Sequence, residues 1–127
     1  MGRYLISFPD GAMDHIGEQE LPDVGKAAHA VMQEAVSAGV FVAGGGIERQ
    51  RASVVATDAM VTDGPYPETK EVLGGFVVVE VASRDEALTW AAKIAGACRC
   101  AQEVRELMPD PELDAMVRAA GGDDGSR

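Results

Sequence analysis

Basic residues are scarce in this chain: 11 Lys and Arg stand against 21 Asp and Glu, for a net charge of −10 at pH 7. They are scattered rather than gathered into a block, so no basic field awaits a phosphate backbone, and a general nucleic-acid role is excluded. Long apolar runs are missing too. No stretch approaches the ~20 residues that span a bilayer. The N-terminal run is broken by Pro9 and Asp10 before a signal peptide's apolar core can form. A cytoplasmic protein with no membrane partner is the expectation. Cysteine is confined to Cys98 and Cys100. On a strand that spacing would put both thiols on one face, where a disulfide would close a strained ring. A zinc site lacks its companion Cys or His pair. Three readings stay open for the two thiols: apolar filler, reactive group, and metal ligand. The glycine run Gly44-Gly45-Gly46 has no Lys-Ser/Thr continuation, which argues against a phosphate-binding loop.

What is present suits one globular domain. The 127 residues are 46% hydrophobic and 25% charged, and a chain of this size buries roughly two-thirds of its unfolded surface. Residues 3–9 alternate as a first strand, with Tyr4, Ile6 and Phe8 on one side. Residues 10–21 read as a polar loop. Pro22-Asp23 opens a helix whose stripe is Val24, Ala27, Ala28, Val31, Met32 and Ala35, and Gly39 ends it. Residues 40–44, 53–57 and 60–62 are short strand pieces, with Asp58-Ala59 as a turn. Residues 76–81 are the strongest strand, apolar enough to be central and buried on both faces. Ser83 through Glu86 is a capping box for a second helix running to about residue 95. Residues 101–107 supply a last strand. Asp110-Pro111 starts a short terminal helix, and residues 121–127 are expected to be disordered. The order is β-α-β-β-α-β with an extra strand pair, an α+β ferredoxin-like arrangement. Residues 1–108 form the domain, and 109–127 the terminal helix and tail.

Between two apolar runs lies Thr62-Asp63-Gly64-Pro65-Tyr66-Pro67-Glu68-Thr69-Lys70-Glu71, followed by Gly74-Gly75. Asp63-Gly64-Pro65 is a turn, and Pro67 bars a ladder at that point. A stiffened polar loop between buried strands suits a site; a solvated connector is the plainer alternative. This segment resembles the signature of the YCII-related proteins of the DGPF type, with Tyr66 where the namesake motif has Phe. The resemblance runs on through Tyr4-Leu5-Ile6, Ala38-Gly39-Val40, Gly44-Gly45, the helix around Trp90 and Glu103-Val104-Arg105, covering about residues 3–108. Ala97-Cys98-Arg99-Cys100 departs from the glycine-containing approach to the family's last strand. The resemblance implies that two sheets pack face to face as a dimeric α/β barrel, so a homodimer is expected. It also implies a first-helix His paired with an Asp, which maps onto His29 and Asp63.

His29 sits about 100° round the helix from Ala28, at the border of the stripe. It is either a boundary histidine or an acid, base or ligand contact. Asp63 either caps its own turn or folds toward His29 and fixes its tautomer. Tyr66 would close a pocket, and Lys70 is either a charge in a solvated loop or, held extended by Glu68 and Glu71, the contact to an anionic substrate. Glu103 and Arg105 share a strand face, as a structural ion pair or as part of a site. Trp90 is read as a core or interface anchor. Two functions fit these residues. One is a cofactor-independent enzyme moving a proton on a small molecule (lyase, isomerase or dehydrohalogenase-like), with His29 as base, Asp63 as orienter, and Lys70 or Arg105 as anion holder. The other is a non-catalytic metabolite-binding or protein-interaction module, for which the resemblance suggests a link to transcriptional regulators. Redox sensing through Cys98 or Cys100 is a minor third.

Overall fold

The computed structural model describes residues 1–48, 52–64 and 72–121. Strand β1 (Gly2–Pro9) leads through turns to helix α1 (Leu21–Ser37), strand β2 (Phe41–Gly46), and the short strands β3 (Ser53–Val55) and β4 (Val61–Asp63). Strand β5 (Leu73–Val81), helix α2 (Arg84–Cys98), strand β6 (Glu103–Glu106) and helix α3 (Pro111–Ala119) complete the order. The sheet is antiparallel, in the order β2-β5-β1-β6, while β3 and β4 pair with each other in a separate hairpin. This is the ferredoxin-like βαββαβ arrangement, with β3 and β4 inserted before the third of its four sheet strands.

Local chemistry sets the ends of the elements. Proline in the first turn of α1 supplies a preset φ where no donor is needed. Gly39, at φ +76°, leaves that helix in a conformation that favours glycine. At the start of α2 the Glu86 amide donates to Ser83 Oγ at 3.2 Å, and the Ala82 amide donates to Glu86 Oε1 at 3.2 Å. The expected capping pair therefore closes, with the return bond taken one residue earlier than the usual box. Helix α2 runs on to Cys98 and stops at Arg99, φ 58°, so the two cysteines end a helix instead of sharing a strand face. Asp110 Oδ1 accepts the Leu113 amide at 3.0 Å and caps α3. The tail beyond residue 121 lies outside the described residues.

Strand pairing decides which side chains face the helices. Tyr4 pairs with Val79 and Ile6 with Val77, and these four pack with Val31 of α1 and Ala87, Ala91 and Ile94 of α2. Ile6 and Val79 are fully buried, each contributing about 1.5–3 kcal/mol of transfer free energy. Ala27, expected in the α1 stripe, is exposed, and the buried positions are Val24, Val31 and Ala35. The two helices are tied across the surface by Lys93 Nζ to Glu34 Oε1 at 2.7 Å and by Arg99 to Glu20. Such exposed pairs contribute about 0–1 kcal/mol each.

On the opposite face Leu5 pairs with Val78 and Ser7 with Phe76, and Arg105 and Glu103 lie beside them on β6. Here β5 departs from expectation. Its burial alternates, Gly75, Val77, Val79 and Val81 being buried while Phe76, Val78 and Glu80 are half-buried. The helices cover only one side, so the second side is left to other contacts. Ser7 Oγ is buried on that side with no hydrogen-bond partner among the described residues.

Candidate functional site

A cavity of about 460 Å³ opens between α1 and the β2 side of the sheet. Helix periodicity builds one wall: Gly25, Ala28, His29 and Met32 fall at i, i+3, i+4 and i+7, with Leu21 and Val24 a turn earlier. The sheet wall is Phe8 of β1, Val77 of β5, and Phe41 with Gly44-Gly45-Gly46 of β2. Ile94, Cys98 and Gln102 also line it, from α2 and the turn leading to β6. The volume lies in the range of small-molecule sites, and the lining is apolar with few polar groups. A second, more open cavity of about 560 Å³ shares Phe8, Met13, Leu21 and Gly46 with the first, and Asp10, Asp14 and Glu48 line it.

The paired glycines of the polar loop's end owe their identity to this wall. A Cβ on Gly75 would sit 2.6 Å from Phe8 Cζ, and one on Gly74 would sit 3.0 Å from Phe8 Cε1. The Phe8 ring therefore lies against main chain that only glycine leaves clear. Gly44 answers a different demand. Its Cβ would lie 2.6 Å from the Phe76 carbonyl oxygen, so glycine lets β2 approach β5 beside the β2 bulge.

His29 lies on the α1 wall as an exposed residue, so its imidazole meets both the cavity and solvent. Gln102 Nε2 donates to the Cys100 carbonyl oxygen at 3.2 Å and to Cys100 Sγ at 3.6 Å. Burial pushes the Cys98 thiol above its ordinary value, and Cys100 beside it adds to the rise. Burial also raises Cys100, and the Gln102 hydrogen bond offsets part of that rise. Both thiols are therefore protonated near neutral pH, which favours the filler reading over a reactive thiolate. Among the described residues no group of three His, Cys, Asp or Glu side chains could hold a metal ion.

The other sequence candidates lie elsewhere. Asp63 is exposed on β4, paired with Ser53, and does not line the cavity. Tyr66, Glu68 and Lys70 fall outside the described residues. Arg105 is on the sheet face away from the helices, 3.0 Å from Glu103 Oε1, which bears out the ion pair and separates Arg105 from the cavity. Sequence reasoning missed Phe8, Phe41, Gly25 and Gln102 as lining residues. Gly25 carried a signal, being a helix breaker inside an otherwise regular amphipathic pattern.

Gly75→Ala should destabilise the fold by about 1–3 kcal/mol through the Phe8 clash, measured by urea unfolding. Phe8→Leu in the same chain should recover most of that loss.

Residues 4–109 match the family model of the YCII-related domain. An uncharacterized protein of Rhizobium meliloti (strain 1021) is 48% identical over 42 residues, 33% of this chain. The chain spans about a third, 34%, of the length of that curated relative. Among solved structures, the chain is similar to the 5-chloro-2-hydroxyhydroquinone dehydrochlorinase of Burkholderia phenoliruptrix AC1100, in complex with 2,5-dihydroxybenzoquinone. That match has a TM-score of 0.49 and 15% identity, covering 86% of this chain and 96% of the other.

Proposed function

We propose that the chain, which belongs to the YCII-related domain family, binds a small molecule in the cavity between α1 and the sheet, with His29 meeting the ligand's polar end. The carrying observation is the cavity itself: about 460 Å³, mainly apolar, with an imidazole on the wall. In the catalytic form of this reading, His29 takes or gives a proton on the bound molecule without a cofactor. In that form Asp63 is the proposed orienting carboxylate, and Tyr66, Glu68 and Lys70 are the proposed contacts to the ligand. A lyase, isomerase or dehydrohalogenase-like step asks only for that proton transfer. NMR of the imidazole at fixed pH tests the pairing. The ring-nitrogen resonances of His29 are expected to move in Asp63→Asn. Identical resonances in both proteins remove the dyad.

A second reading, a non-catalytic interaction module, draws on α3. Leu113, Met116 and Val117 form an apolar stripe at i, i+3 and i+4, and each is more than half exposed.

The domain is also proposed to act as a homodimer through the sheet face away from the helices. Half-buried Leu5, Phe76 and Val78 support that proposal, as does the buried Ser7 hydroxyl, which has no partner among the described residues. Light scattering at micromolar concentration should give twice the chain mass of 13.3 kDa. A monomer mass would rule the dimer out.

A further inference from the structure

Gly25 and Gly46 line the cavity from different walls, one on α1 and the other on β2. Neither is explained by the backbone: both lie outside the positive-φ glycines. Among the described residues neither is explained by packing, because a Cβ built on either would meet no heavy atom of theirs within 4 Å. Gly44, one wall neighbour away, shows what a packing requirement looks like, with its Cβ 2.6 Å from a carbonyl oxygen. Glycine inside a helix or strand gives up stability relative to a residue with a side chain. At positions 25 and 46 the fold itself gains nothing in return. What the two glycines do provide is space in front of bare main chain, beside the small side chain of Ala28.

Bare main chain is a flat surface, and this molecule already packs a ring against one. The Phe8 ring lies against the main chain of Gly74 and Gly75. Phe8 and Phe41 add aromatic surface to the same cavity, while His29 and Gln102 supply its hydrogen-bonding side chains. We propose that Gly25 and Gly46 are specificity-determining residues that keep a slot open for a flat, largely apolar ring bearing one hydrogen-bonding substituent. This deepens the ligand-cavity reading above and rests on it. A ring held against main chain is selected by thickness as well as by polarity. A saturated ring of the same carbon skeleton is too thick for the slot, and a methyl or isopropyl group at either glycine occupies the ring's place.

The test uses two probes, 2-naphthol and decahydro-2-naphthol, with affinities measured by calorimetry on the full chain, Gly25→Ala and Gly46→Val. Thermal unfolding of all three proteins is recorded in parallel. The expected result is binding of 2-naphthol to the wild type, at least tenfold weaker binding of the saturated compound, and at least tenfold loss of 2-naphthol affinity in each variant. Gly25→Ala should unfold at a higher temperature than the wild type. Equal affinity for both probes, or variants that bind as the wild type does, would overturn the slot and leave the ligand cavity standing. A lower unfolding temperature for Gly25→Ala would show that packing keeps the glycine, and would overturn the slot as well. Binding of neither probe to the wild type would overturn both readings.

Discussion

The pairing of β1 with β5 sets the position of nearly everything that matters here. In that register Ile6 meets Val77, Tyr4 meets Val79, and Phe8 meets Gly75. The first two pairs build the core under both helices. The third places a phenyl ring where a side chain at position 75 would stand, and that ring becomes part of the cavity wall. A one-residue slip would send Leu5 and Ser7 to the helices and carry Phe8 to the other face. Core, cavity and outer sheet surface thus depend on one ladder.

The cavity exists because the helix and the sheet edge part company near β2. At Gly44 the strand presses against β5, and from there to Gly46 it offers main chain instead of side chains. Across from it, α1 turns Gly25, Ala28 and His29 toward the same space. Small residues on both walls leave room, and the imidazole brings the chemistry. The protonated thiols of buried Cys98 and half-buried Cys100 add apolar volume rather than a nucleophile. Among the described residues that line the first cavity, none carries a carboxylate.

Much of the fold was legible in the residues. The order of elements follows from the alternation of β1, the amphipathic stripe of α1, the apolar run of β5 and the Ser83–Glu86 cap. Glycine caused the boundary errors. Gly45-Gly46 and Gly74-Gly75 read as strand ends, yet both pairs lie within strands; close approaches of the Phe8 ring and of main chain select Gly74 and Gly75, whereas Gly45 and Gly46 face open space. The double-sided burial expected of β5 assumed cover that the described residues do not supply. Of the site, His29 was legible because a stripe border is a geometric fact of helix pitch. Phe8, Phe41 and Gln102 were not, because they meet only once β1, β2 and the turn before β6 are assembled. Arg105 was drawn to the site by its charge, whereas strand parity puts it on the far face beside Glu103.

The space between α1 and the glycine-lined end of β2 is proposed to hold a flat ring. Intermolecular nuclear Overhauser effects from 2-naphthol to the isotope-labelled protein test it most directly. Contacts are expected from the ring protons to the methyl groups of Ala28, Met32 and Val77, which line that space. Contacts instead to Leu5 and Val78, on the opposite face of the sheet, would contradict it.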